Sequence, residues 1–443
     1  MFESKRFHES NGPLGFRCRL LNSDNHAKIT HAFFWLSSQT PAFTPSSSMD
    51  RKHLKQSVSH QTDVSTTLAT HLLSKKHNTN VVFSPLSIHV ALSVLAAGSK
   101  GQTLDQLLAF LKTNTTDNLS SLYSQLMPLI FADARPRGGP RVSFANGFWV
   151  DKTLSLKPSF KQVVDTFYKA ECNQVDFHNK ATEVANELNA WAEEKTNGLI
   201  KQVITSDEVS NVTWLVFANA IYFKGLWRDK FKPKNTKEYD FHLLDGNKVQ
   251  VPFMTNFALK SVGVYDDFKV LRLPYLQGRN QQEFSTYFFL PNAKDGLQSL
   301  VQKIGSTPDF IDRHIPHNDR VIVPRFLIPV FKISFGLEVS DMLKELGLVL
   351  PFNGGDGLSE MVDSSDGQGI YVSRIIQKSF VEVNEEGTEA IAYIEEQDHG
   401  SARNPPKYDK VDFVADHPFL FVIKEDVTGV VLFMGQVVDP RVD

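Results

Sequence analysis

At 443 residues, with 41% hydrophobic and 22% charged side chains, the chain has the composition of an ordinary soluble globular protein, with room for one large domain or two to three small ones. A formal net charge of −3 gives no general electrostatic reason to expect nucleic acid or an anionic membrane as partner, and no run approaches the roughly 18 apolar residues of a membrane span. Two cysteines, Cys18 and Cys172, make neither a disulfide framework nor a metal spacing, and 34 Phe against 5 Trp predict a phenylalanine-rich core.

Residues 1–49 differ from the rest. They mix Ser, Asn, His, Phe and basic residues, and end in FTPSSS just before Met49. The apolar piece AFFWL (32–36) is too short and too far in for a standard signal peptide. Acidic residues are few there (Glu3, Glu9, Asp24), which leaves an organelle-transit reading open. The composition predicts a disordered N-terminal extension. With no clear signal peptide, a cytoplasmic or nucleocytoplasmic location is favoured over an extracellular one.

From Asp50 onward the pattern is that of a folded domain. Leu54, Val58, Leu68 and Leu72 suit one face of an amphipathic helix. NVVFSPLSI (80–88) reads as a short buried strand stopped at Pro85, and the nearly all-apolar SIHVALSVLAAG as a buried helix closed by Gly98. Thr103-Leu104-Asp105-Gln106 has the form of a capping box opening a further helix. In ATEVANELNAWAEEKTNG (181–198), Val184, Leu188 and Trp191 share a helical face that Gly198 ends.

Strand signals then take over. WLVFANAIYFKG (214–225) is long and apolar, as expected of a strand buried on both faces. Asp245-Gly246 between alternating arms predicts a hairpin over 238–254. FSTYFFLP, RFLIPVFKIS, KSFVEVNEE, HPFLFVIKE and GVVLFMGQVV add at least five more strands. Helices first and strands later, with little βαβ alternation, predict an α+β fold in one large domain.

Little in the chain advertises catalysis. It has no Gly-x-Ser-x-Gly elbow, His-Glu-x-x-His pair or phosphate loop, and NGGDG (353–357) and DGQG (366–369) read as turns. The 14 histidines are scattered. We read the protein as not an enzyme, and no cofactor or metal is implied. The sequons at Asn114, Asn118 and Asn211 are of a kind common by chance. Trp191 and Trp227 read as core packing.

NVVFSPLSI, FANAIYFKGLW (217–227), EVNEEGTEA (382–390), DHPFLFVI (416–423) and VLFMGQVVDP (431–440) together resemble the serpin family, from about residue 50 to the end. AAGSKGQTLDQLLAFLK, FHLLDGNKV and DFVADHPFLF resemble plant serpins of the serpin-Z type in particular. The resemblance implies three β-sheets with eight or nine helices in one domain (50–443), and an exposed reactive-centre loop over 387–411. It implies a monomeric inhibitor whose partner is a target endopeptidase, serine-type or a papain-like or metacaspase cysteine enzyme. Cleavage of the bait loop would let it insert as a new central strand, trapping the attached protease.

Carried onto this chain, the hinge is Glu385, Glu386, Gly387, Thr388, Glu389, Ala390 and Ala392. The shutter, where the sheet parts, is Ser84, Ser87, Asn219 and Gln377, with glutamine where the family usually has histidine. The reactive bond falls at Ser401-Ala402, with Arg403-Asn404 as the alternative. With Thr388 facing inward, strand alternation also turns Ala390, Ala392, Ile394, Glu396, Asp398 and Gly400 inward. Burying the Glu396 and Asp398 carboxylates is costly. The family's Pro-Lys-Phe reads Pro329-Val330-Phe331 here, which predicts that Glu385 lacks its usual lysine partner. These departures favour, as the alternative, a serpin-fold protein that serves as a protease substrate or binding module.

Overall fold

Apolar residues on every side leave a helix no face for water, and residues 86–97 form such a helix in the computed structural model, which describes residues 48–131, 139–277, 282–316, 320–363, 369–387 and 409–442. The described residues belong to one compact unit. The N-terminal extension lies outside them up to residue 47, and a helix, α1 (Ser48–Lys75), begins there. Val58, Leu68 and Leu72 of α1 are buried. After β1 (Val81–Phe83), Pro85 opens α2 (Pro85–Ala97) at a position where its missing N–H costs nothing, and the Ser84 hydroxyl caps it by accepting from Ser87 N at 3.2 Å.

The expected capping box is not formed. The next helix, α3 (Gly101–Phe110), starts from Lys100 without a side-chain cap. Gln106 instead spends its amide on a distant turn, accepting from Val349 N and Leu350 N at 3.0 and 2.8 Å and donating to Gly347 O. The remaining helices are α4 (Thr116–Ile130), α5 (Pro158–Val163), α6 (Ala181–Lys195), α7 (Leu297–Ser306), α8 (Phe310–Arg313) and α9 (Ser340–Glu345), nine α-helices among the described residues.

The strands form three sheets. β2 (Arg141–Asp151), β3 (Ala170–Val175), β4 (Leu215–Lys224), β12 (Phe331–Glu338) and β13 (Arg374–Val383) form a five-stranded sheet in the order β12-β13-β4-β2-β3. β5 (Lys237–His242), β6 (Lys248–Met254), β11 (Phe326–Pro329) and β14 (Phe413–Val414) form a four-stranded sheet. Its β5–β6 hairpin turns at Gly246, whose φ of +86° is the left-handed geometry a Gly supplies cheaply. A seven-stranded antiparallel sheet holds β7 (Lys260–Val264), β8 (Phe268–Pro274), β9 (Phe284–Pro291), β10 (Arg320–Val321), β15 (Phe419–Glu425) and β16 (Val431–Val437), with β1 at its edge. RFLIPVFKIS is therefore not one strand. It breaks at Val330, whose N–H bonds Pro252 O, and its halves join different sheets.

The five-stranded sheet is buried on both faces by different partners. Val216, Ala218, Ala220 and Tyr222 of β4 face one core with Val184, Leu188 and Trp191 of α6, where Trp149 and Trp191 meet edge-on at 4.8 Å. Leu215, Phe217, Ile221 and Phe223 face the main core, which also holds α2. The period of two sorts one apolar strand between two cores.

On α2, His89 is 1% exposed, and its Nδ1 lies 2.6 Å from the Tyr123 hydroxyl. Desolvation lowers its pKa to about 3, against the backbone bond at His89 and with a small push from His60. A depressed pKa contributes stability that is complete above the unfolded value of 6.5 and is lost as pH falls toward 3. His89 alone should then cost about 1.4 kcal/mol per pH unit in that window. We expect His89→Gln to flatten the decline in melting temperature between pH 6.5 and 4, measured by calorimetry. An unchanged slope would exclude His89 as the source.

Candidate functional site

The site is the seam between β13 and β4. These two strands run parallel, in register from Arg374↔Val216 to Phe380↔Tyr222, while β12–β13 and β4–β2 are antiparallel. A parallel ladder has slanted bonds and is slightly weaker per residue than an antiparallel one. β2–β3 is parallel too, but β3 lies at the sheet's edge, so among the described strands the seam is this sheet's one parallel pair flanked by strands on both sides.

A polar row crosses the seam. Asn146 of β2, Asn219 of β4 and Gln377 of β13 are mutually in register, so all three side chains stand on the face turned to α2. All are buried. The Gln377 side chain bonds both backbone groups of Ser84, accepting from its N–H and donating to its C=O, each at 2.8 Å. The carboxamide behaves like a peptide unit and ties β13 to the start of α2. Gln377 fills the histidine position without a titratable group.

Asn219 and Ser87 turn to other partners. Asn219 bonds Asn146 Oδ1 at 2.9 Å and Ala145 O at 3.1 Å, across to β2. Ser87 contributes its backbone N–H to the Ser84 hydroxyl, and its own hydroxyl is buried with no hydrogen-bond partner. Asn146 was not singled out from sequence. An Asn inside an apolar strand is the signal that would have found it.

At the end of the seam β13 leads into a tight turn, Asn384–Gly387. Gly387 has φ +102°, and a Cβ there would sit 2.1 Å from Gly225 O and 2.6 Å from Trp227 N. Only glycine lets the chain press this closely against the exit of β4. The turn is pinned from across the seam. Trp227 N donates to Glu386 O and Phe231 N to Glu385 O, both at 3.1 Å, and the Trp227 indole N–H donates to Asn384 O at 2.8 Å. Trp227 stacks on Tyr275, with centroids 4.4 Å apart and planes at 14°. It is buried in the core and also holds the turn. Trp191 stays in the α6 core.

Glu385 has a partner despite Val330. The Thr236 hydroxyl donates to Glu385 Oε1 at 2.6 Å. We expect Thr236→Val to weaken the docked turn by about 1 kcal/mol, typical of one hydrogen bond to a charged acceptor at partial exposure. Faster amide exchange at Phe231, with the global melting temperature nearly unchanged, would show it. Hinge positions Thr388, Glu389, Ala390 and Ala392, inward positions Ile394, Glu396, Asp398 and Gly400, and both reactive-bond pairs, Ser401-Ala402 and Arg403-Asn404, lie outside the described residues. The chain returns at Asp409, and β14 pairs parallel with β11.

Among the described residues no cluster of three or more His, Cys, Asp or Glu is arranged to hold a metal, and no helix is long and apolar enough to cross a membrane. Cys172 is free, and burial raises its thiol pKa to about 11, which makes it a poor nucleophile at neutral pH.

Comparison with known proteins adds four findings. A family model described as Serpin (serine protease inhibitor) matches residues 59–440. Serpin-ZX of Arabidopsis thaliana is 52% identical over 392 residues, covering 87% of this chain and 99% of that protein. Serpin-ZXA of Oryza sativa subsp. japonica is 50% identical over 393 residues, with 87% and 98% covered. The solved structure of Arabidopsis AtSerpin1 in its native stressed conformation superposes with a TM-score of 0.81 at 51% identity, over 88% of this chain and 99% of that one.

Proposed function

From the premise that this chain belongs to the serpin family, with plant serpins of the Z type among its relatives, we propose that it inhibits an endopeptidase by offering residues 387–411 as bait and, after cleavage, inserting the part that stays joined to β13 between β13 and β4. The observation that carries this reading is the pairing at the seam. A chain that leaves the end of β13 and doubles back runs antiparallel to β13, and therefore antiparallel to β4 as well. Insertion exchanges one parallel ladder for two antiparallel ones and adds backbone hydrogen bonds throughout. The pinned turn at 384–387 holds the loop's root at the top of that seam. The likeness to a relative in its native stressed conformation supports the same reading.

The reactive bond we propose is Ser401-Ala402, suited to an elastase-like enzyme with a shallow pocket. Arg403-Asn404 is the alternative for a trypsin-like or metacaspase-like one. A second reading, a serpin fold that no longer inhibits, is favoured by Glu396 and Asp398 alone. Each places a carboxylate in the inward set, where burial costs several kcal/mol unless it takes up a proton.

The test mixes the protein with trypsin-like, elastase-like and papain-like proteases, follows denaturing gels, and compares melting temperatures before and after cleavage. A gel-stable complex and a large rise in melting temperature are expected, with the released peptide identifying the bond. We further expect Glu396→Ala with Asp398→Ala to shift cleaved molecules from free product to trapped complex by about tenfold, since relief of 1.4 kcal/mol in the insertion step suffices for that factor. Clean cleavage with no complex and no thermal gain, in both the natural sequence and the double variant, would discard the inhibitor reading.

A further inference from the structure

The turn between β6 and β7 carries Phe257, which is 90% exposed. Scattered surface apolar residues are normal, but this one is displayed by a built support. Lys260, 3% exposed, sits beneath the turn and donates its ammonium to Asn256 Oδ1 at 2.5 Å and to Ala258 O at 2.8 Å, the two residues flanking Phe257. The same ammonium lies 4.7 Å from the centroid of the Phe326 ring. A buried cation thus clamps both shoulders of a turn whose tip is a bare aromatic ring.

The turn abuts the segment that pins the hinge. Asn256 Nδ2 donates to Asp229 O at 2.8 Å, and two residues further on Phe231 N donates to Glu385 O. A small cavity beside the turn is lined by Arg228, Asp229, Leu259, Lys260, Arg272 and Arg320. Arg272 is matched by Asp426 at 2.6 Å, and exposed Arg228 shares Asp229 at 3.1 Å. Exposed Arg320 lines this cavity together with Lys260 and Leu259, so the flank of the turn is cationic.

We propose that Phe257 and its cationic flank form a docking surface for the target protease, accepting an acidic and partly apolar patch beside that enzyme's cleft. This rests on the inhibitor reading above. The occupant follows from position and charge. A protease engaging a loop rooted at Glu385–Gly387 must approach this rim, and basic side chains there favour an acidic partner surface. Aromatic residues on a rigid support lose little freedom on docking and make strong anchors. A surface of this kind raises the association rate and selects among proteases that the bait loop alone would not distinguish.

The experiment compares the natural sequence with F257S/R320E, two exposed side chains that make none of the bonds pinning the 384–387 turn, and uses equal melting temperatures as the folding control. Association rates with trypsin, pancreatic elastase and papain are measured at low and high salt, together with final complex yield. We expect the double variant to reach the same yield but to associate about tenfold more slowly with at least one of these enzymes at low salt, with a flatter salt dependence. Equal rates for every enzyme overturn the proposal. If no enzyme forms a complex, the inhibitor reading has failed. Binding of the same enzymes with their clefts covalently blocked then decides the surface separately. Binding that F257S/R320E loses sustains it, and absent or equal binding overturns it.

Discussion

Gly387→Ala detaches the turn at 384–387 from the end of the seam. The new Cβ would lie 2.1 Å from Gly225 O and 2.6 Å from Trp227 N, both backbone atoms that no side-chain rotation can move aside. The φ of +102° adds strain for any residue with a Cβ. Undocking gives up the bonds from Trp227 N, Phe231 N and the Trp227 indole, at about 1 kcal/mol each, a cost common to both proteins. Backbone strain of about 1–2 kcal/mol, relieved only by opening, raises the population of the open form roughly 5- to 30-fold. Hydrogen exchange at the Trp227 and Phe231 amides reads this directly, and unchanged protection there would show that the turn tolerates a side chain. Under the inhibitor reading the same variant should also convert to the inserted form faster on warming, because hinge release precedes insertion.

Gln377→Ala should be the most destabilising single change at the seam. It strands the N–H of Ser84, a residue with no exposed surface, takes one of two bonds from its C=O, which keeps Ile88 N at 3.3 Å, and leaves a cavity where the side chain stood. The orphaned N–H costs about 1–3 kcal/mol, and with the lost carbonyl bond and the cavity the total is roughly 2–4 kcal/mol. Gln377→Leu refills the volume but leaves the N–H unsatisfied, so it should fall nearly as far. Gln377→His restores one bond and should recover part of the loss while making stability at the seam depend on pH near the imidazole value. The unfolding rate at fixed denaturant is the measurement, since kinetic stability is the relevant quantity for a sheet poised to open. Equal rates for the natural sequence and the alanine variant would show that the carboxamide bridge holds nothing.

Several features were legible because they are local. The apolar run of α2 could only be buried, Asp245-Gly246 could only turn, and β4 carried enough apolar residues on both sides to announce its place inside a sheet. The family motifs pointed to Ser84, Asn219, Gln377 and the hinge, and those described lie along one seam. What failed was partner choice. Thr103-x-x-Gln106 looked like a helix cap, yet Gln106 is claimed by a turn more than two hundred residues away. Val330 stands where the family's lysine would pair with Glu385, and the bond comes instead from Thr236, just ahead of β5.

The sequence by itself determined where several buried helices and strands lie, that the fold is α+β, and which family the chain resembles, since periodicity, turn residues and contiguous motifs are written along the chain. Only the tertiary structure decided that β13 and β4 meet in parallel, that Gln377 grips the backbone of Ser84, that Trp227 pins the hinge, and that buried Lys260 presents Phe257. Each of these is a hydrogen bond or contact between residues far apart in sequence. A single chain's pattern shows that such groups must be satisfied, and packing alone decides by whom.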